Sequence, residues 1–194
     1  MNYNELSEKL VETLNLDKEP VAIKIYDNVD DVKDALPKYD GQARHCTITY
    51  ETATTGKSCY ATADEMNCPN GQLALGLVDQ RIETIPQIMP LVEAVAYSPL
   101  KDAEFEPDSI IIYVMPVQAL KIAQLYRVSF NKRFEANFNG VASLCADAVA
   151  IPYNTGKSNM TLGCRGSRKF SDIKDEEMII ALKLSDLEVM MEKA

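Results

Sequence analysis

Ser109-Ile110-Ile111-Ile112-Tyr113-Val114-Met115-Pro116 decides the fold class. The run is apolar without polar alternation, which is the pattern of a strand buried on both faces. Pro116 then stands where proline is favoured, in the first turn of a helix, and that helix is expected to reach about Tyr126. The same order recurs on either side. Pro20–Tyr26 reads as a strand, and Asp30–Leu36 as a short helix ended by Pro37. Met178–Leu184 reads as a third strand, with Ser185 and Glu188 as a capping box for the closing helix. Ahead of all three, Leu6, Leu10, Val11 and Leu14 recur at helical spacing in an opening amphipathic helix, Asn4–Leu16. Strand then helix, repeated, predicts an α/β fold, with α+β as its near variant: a mixed sheet covered by helices. Short β segments near Thr47–Tyr50, Ala148–Ile151 and Asn159–Leu162 are expected to form hairpins around the cysteines.

At 194 residues the chain suits one domain, 1–194, and no stretch reads as a linker. Hydrophobic residues at 46% and charged residues at 25% place it among soluble globular proteins. A formal charge of −9 argues against nucleic acid, whose phosphates need a basic face, and against an anionic membrane surface. Apolar runs such as Ile110–Met115 are too short to span a bilayer. The opening Met1-Asn2-Tyr3-Asn4-Glu5-Leu6 has neither a basic nor an apolar signal region, so a cytoplasmic location is expected. In that compartment cysteines are reduced thiols or ligands more often than disulfides.

The cysteines fall into two matched layouts. Cys46 is followed by Thr55-Gly56-Lys57-Ser58 and then Cys68, closed by Gly71; Cys145 is followed by Thr155-Gly156-Lys157-Ser158 and then Cys164, flanked by Gly163 and Gly166. From position 46 to 56 is ten residues, and from 145 to 156 eleven. Only Cys59 lacks a counterpart. The arrangement suggests a pseudo-duplicated pair of β-α-loop halves, about 18–76 and 108–166, each lending two thiols to one pocket. Shared turn chemistry is the plainer explanation, since Thr-Gly-Lys-Ser is an ordinary polar turn. A phosphate-binding loop is excluded: its first glycine would fall at Glu51 or Ile151, and neither loop leads into a helical pattern.

The most pointed segment is Gly163-Cys164-Arg165-Gly166-Ser167-Arg168. Glycines let backbone amides turn towards one point, and the arginines supply positive charge that lowers a thiol pKa or offsets an anionic ligand. Cys68 sits similarly, in Asn67-Cys68-Pro69-Asn70-Gly71, while Cys145 lies in an apolar run that also suits a plain core cysteine. His45, the single histidine, is a base or further ligand beside Cys46, or simply a capping residue. Structural zinc uses close cysteine pairs; here the nearest two, Cys59 and Cys68, are nine apart. Dispersed thiolates better suit an inorganic cluster needing one ligand per corner, so an iron–sulfur cluster leads, a metal-free thiol site follows and zinc trails.

Several segments together resemble the domain-of-unknown-function 169 family. They are Pro20-Val21-Ala22-Ile23-Lys24 after an opening helix, Arg44-x-Cys46, Cys68-x-x-Gly71 with Ala74-Leu75-Gly76, Val114-x-Pro116-x-Gln118-Ala119, Cys145, and Gly163–Arg168. The likeness spans nearly the whole chain. It implies a cytoplasmic protein of archaea or anaerobic bacteria, with thiols at Cys46, Cys68, Cys145 and Cys164 and none required at Cys59.

The leading expectation is therefore an iron–sulfur protein in which Cys46, Cys68, Cys145 and Cys164 bind a 4Fe-4S cluster, with Gly163, Arg165 and Gly166 around it. Its role would be electron transfer with a redox partner, sulfur handling or redox sensing, with a small-molecule ligand if one iron corner stays open. A second reading is a thiol enzyme with Cys164 as activated nucleophile. A third is a small-molecule or subunit-binding module whose cysteines are structural.

Overall fold

The computed structural model describes residues 1–194. In chain order come α1 (Tyr3–Leu14), β1 (Val21–Tyr26), a 3₁₀ turn (Val29–Asp31), α2 (His45–Thr55), β2 (Cys59–Ala61), α3 (Pro69–Ala74), β3 (Ala94–Pro99), β4 (Ser109–Val114) and α4 (Pro116–Phe130). A continuous helical run then changes pitch, from α5 (Ser143–Cys145) through π-helical turns (Ala146–Ala150) to α6 (Ile151–Thr155). The chain closes with β5 (Asn159–Thr161), α7 (Arg165–Phe170), β6 (Met178–Leu182) and α8 (Leu184–Lys193).

The strands form one sheet in the order β2-β3-β1-β4-β6-β5. Alternate residues of β4 go to opposite faces, and both faces are covered. Ile110, Ile112 and Val114 pack with Leu6, Leu10, Ile122, Leu187 and Met190 from α1, α4 and α8. Ile111 and Tyr113 pack on the other side with Ile48, Leu144 and Val149 from α2 and the helical run that starts at Ser143. Burying each such isoleucine is worth about 2 kcal/mol, so this strand anchors both layers. The fold is α/β, a sheet covered by helices, as the sequence indicates. Every pairing between named strands is antiparallel. The parallel pairing expected of a mixed sheet is confined to isolated bridges, Lys38–Tyr60 and Ala43–Met66.

A local two-fold axis runs through the sheet's centre. In the β1–β4 pair, Ala22 faces Ile110, with Val21 opposite Ile111 and Ile23 opposite Ser109. Carrying Val21, Ala22 and Ile23 onto Ser109, Ile110 and Ile111 exchanges the outer pairs and leaves the middle one in place. The correspondence continues outward: the row Ile23–Tyr97–Cys59 maps onto Ile111–Ala181–Asn159. It reaches past residues 76 and 166 to the third strand of each half, β3 or β6. Gly56 and Gly156 occupy the same place, each the left-handed C-cap of the preceding helix (φ 72° and 66°). The eleventh residue between Cys145 and Gly156 is taken up by the π-helical turns, which hold more residues per turn than an α-helix.

Several local expectations change. Thr47–Tyr50 and Ala148–Ile151 are helical, not β, and only Asn159–Thr161 is a strand. Thr49 and Thr55 donate their hydroxyls to the carbonyls four residues back (2.8 and 2.7 Å), which accommodates β-branched residues in α2. The polar Thr-Gly-Lys-Ser segments are thus helix ends entering edge strands, not hairpin tips. Asp30–Leu36 contracts to the 3₁₀ turn and loose turns, because only Val32 in it is buried and no apolar face supports a helix. Ser185 lies inside the first turn of α8, which Lys183 caps; the Lys183 N–H is held by Ser158 Oγ at 3.0 Å.

Candidate functional site

The long helices of the two halves start beside one another on one face of the sheet, and each brings a cysteine within its first turns. Cys46 is the second residue of α2, and Cys145 ends α5. The other two thiols begin short helices: Cys68 caps α3, with Pro69 in the favoured first position, and Cys164 caps α7. All four line one cavity of about 210 Å³, together with Arg44, His45, Asn70, Arg165, Gly166 and Ser167. The wall is completed by Gly140, Val141, Ala142 and Leu144, and contains no carboxylate. Cys46 and Cys145 form the buried floor, while Cys68 and Cys164 are half-buried at the outer edge.

Each thiol has its own electrostatic setting. Burial pushes Cys46 up to about 11, reinforced by the neighbouring Cys164 and Cys68 and opposed by Arg44. Cys145 is raised too, again by burial first and then by the other three thiols. Cys164 goes the other way. Burial would raise it, but hydrogen bonds from Ser167, Ser143 and Gly166 outweigh that and hold it below the usual thiol range. The Ser167 N–H donates to Cys164 Sγ at 3.4 Å, and the Cys164 N–H donates to Ser167 Oγ at 2.9 Å, a reciprocal cap. Cys68 instead receives the Arg44 guanidinium, with Nη1 at 3.3 Å from Sγ and the planar group stacked 3.9 Å over Phe170.

Two glycines shape the site. A Cβ on Gly163 (φ 80°) would stand 2.8 Å from Ser167 Oγ, destroying the cap of Cys164. One on Gly71 would sit 3.4 Å from Cys145 Sγ and from Cys68 Cβ, narrowing the thiol cavity.

Of the residues singled out in the sequence, Cys46, Cys68, Cys145, Cys164, Arg165 and Gly166 meet at this cavity, and Gly163 shapes the turn behind it. Arg168 does not contribute its charge there. It donates to the carbonyls of Leu162 (3.1 Å from Nε), Glu177 (2.5 Å) and Lys174, tying the α7 loop to the stretch before β6. Cys59 lies on β2 opposite Tyr97, opens on a separate cleft with Tyr39 and Glu51, and is pushed up to about 12 by burial. Arg44 and Ser167 stand in segments the sequence marks, but it assigns them no role at the site, and it does not mark the Gly140–Ala142 wall. Arg44 was detectable as the neighbour of His45-Cys46, and Ser167 by its three-residue spacing from a capping position; nothing local marks the wall.

His45 is fully buried. Its Nδ1 lies 2.8 Å from Tyr97 Oη, and burial drives its pKa down to about 3, with the Leu144 carbonyl opposing. Its Nε2 has no hydrogen-bond partner. No three His, Cys, Asp or Glu side chains gather closely enough to hold a single metal ion. The four thiols are distributed round an acid-free wall, with N–H donors directed at Cys164. No helix is long and apolar enough to cross a membrane.

Fold and site define a two-fold-related α/β protein with a four-thiol cavity. The chain belongs to the DUF169 family, described as "Uncharacterised ArCR", whose model matches residues 9–193. It is similar to "Uncharacterized protein MJ0308" of Methanocaldococcus jannaschii, at 34% identity, the match covering 96% of this chain and 94% of that protein. No solved structure matches it.

Proposed function

We propose that this is an iron–sulfur protein whose cavity holds one cluster of the 4Fe-4S type on Cys46, Cys68, Cys145 and Cys164. The observation that carries the reading is convergence: four thiols from four separate helix starts line one cavity, with no acid among them. A thiolate-held cluster is anionic, and the surroundings suit that charge. Arg44 stands over Cys68, Arg165 lies at the wall, and amides of Ser143, Gly166 and Ser167 point at Cys164. When bound, the cluster would supply reversible one-electron storage. The half-buried Cys68–Cys164 edge is the side from which electrons would be exchanged with a redox partner. The test is iron and acid-labile sulfide analysis of protein made or reconstituted without oxygen, with about four of each expected per chain. One equivalent of zinc, or no metal, overturns the reading; two irons would keep the ligands and change the cluster.

A second reading is favoured by one observation: Cys164 is held low while Cys46 and Cys145 are raised. In metal-free protein Cys164 would then be the reactive thiol, as an activated nucleophile requires. Colourless protein with a fast-alkylating Cys164 would select it.

A further inference from the structure

The buried floor of the cavity contains one polar side chain that the four-thiol reading leaves unused, His45. It begins α2, adjoins Cys46, and lies in the cavity wall with no solvent exposure. Its Nδ1 is 2.8 Å from Tyr97 Oη, and Tyr97, fully buried on β3, has no other side-chain hydrogen bond. A phenol carries its proton at neutral pH and must donate it, so Nδ1 is the acceptor and the imidazole hydrogen sits on Nε2. Nε2 has no hydrogen-bond partner, while the Leu144 carbonyl lies near enough to the ring to favour its protonated form. Buried donors are almost always paired, so an orphan in a cavity wall marks something the cavity receives.

We propose that His45 Nε2–H donates a hydrogen bond to sulfur of the group bound in this cavity, and that Tyr97 is the positioning residue that fixes the tautomer. The assignment rests on the iron–sulfur reading for its acceptor. Sulfur of a cluster bound through the four thiolates would supply an acceptor for this N–H, and no carboxylate in the wall competes. Donation to the cluster favours its more negative, reduced state and raises its reduction potential.

Because the chain has a single histidine, ¹⁵N-histidine labelling reports on His45 alone. In metal-free protein, nitrogen chemical shifts should show the Nε2–H tautomer, and Tyr97→Phe should weaken that preference. In reduced holoprotein, pulsed EPR should show ¹⁵N coupling to the cluster together with an exchangeable proton. His45→Leu should lower the reduced-to-oxidised ratio at a fixed potential roughly tenfold, the scale of one charge-assisted hydrogen bond. His45→Gln, which keeps an N–H donor, should restore part of it. A merely structural histidine would change cluster occupancy and leave the potential of the remaining cluster where it was. An Nδ1–H tautomer, absent ¹⁵N coupling, or an unchanged potential in a fully loaded His45→Leu overturns the assignment while the cluster stands. If His45→Leu fails to fold, the labelled wild-type protein still decides by tautomer and coupling. A wild-type chain that takes up no cluster overturns the proposed function and this assignment together, and is recognised by iron analysis before any variant is made.

Discussion

The two halves hold their thiols in the same places by different means. In the first, Cys46 and Cys68 share the guanidinium of Arg44, a mobile side chain steadied by stacking on Phe170. In the second, Cys164 is served by backbone amides from Ser143, Gly166 and Ser167, and Cys145 by no donor that offsets its burial. The helices differ too, since α2 is regular while its counterpart widens into π-helical turns. Matched geometry with unmatched electrostatics teaches that the fold's symmetry places four sulfurs, while local chemistry makes them unequal. Cys164 is eased towards the thiolate, while burial holds Cys46 and Cys145 as thiols.

The sharpest way to break the pairing is to remove thiols one at a time. Cys46→Ser, Cys68→Ser, Cys145→Ser and Cys164→Ser are each expected to abolish most cluster binding, measured as iron and sulfide per chain. Cys59→Ser should keep it all, because that residue's symmetry mate is Asn159 on the far edge strand. Full iron in Cys145→Ser, or its loss in Cys59→Ser, would dissolve the two-plus-two arrangement.

Next in size is the turn before each capping cysteine. Gly163→Ala forces a side chain into the left-handed region and against Ser167 Oγ, so urea unfolding of metal-free protein should show a loss of about 1–3 kcal/mol. Its counterpart Asn67 is exposed, and Asn67→Ala should stay within about 0.5 kcal/mol. Equal effects would mean the two turns are alike after all.

The electrostatic contrast is sharpened by pH. A thiol held below its ordinary pKa ionises earlier, so alkylation of Cys164 should rise at lower pH than that of Cys46, which burial pushes up to about 11. Ser167→Ala removes the hydroxyl contribution and should raise the Cys164 pKa, slowing its alkylation at neutral pH by up to about tenfold, one pKa unit. Cys46 should be indifferent. The smallest effect tests the symmetry itself. Gly56→Ala and Gly156→Ala both meet open space and only the left-handed backbone, so each should cost about 1 kcal/mol, and the same in both halves.

What was legible in the sequence follows from how local each signal is. β4 was readable because Ile110–Val114 leaves no polar residue to face water on either side. The interior strand β3 is not marked in the sequence, since Ala94 and Ala96 carry weak strand preference and its place is set by pairing with β1 and β2. Thr47–Tyr50 has the composition of a strand but lies in a helix whose buried His45, Ile48, Thr49, Thr52 and Ala53 recur at helical spacing. The four cysteines could be grouped from their matched spacing to the Thr-Gly-Lys-Ser segments. Which arginine serves them could not be read, because Arg44, Arg165 and Arg168 look alike until the carbonyls that claim Arg168 are in place.

By itself, then, the sequence determined the α/β class, the opening and closing helices, and the division of the cysteines into two pairs with Cys59 apart. These rest on periodicity and spacing, which are properties of the chain read in order. Only the tertiary structure decided that both pairs face one cavity, that an extra residue is absorbed in π-helical turns, and that His45 Nε2 is left without a partner beside the thiols. Those depend on strand order across a two-fold axis and on burial, because distant residues acquire their electrostatic partners only once the sheet has brought them together.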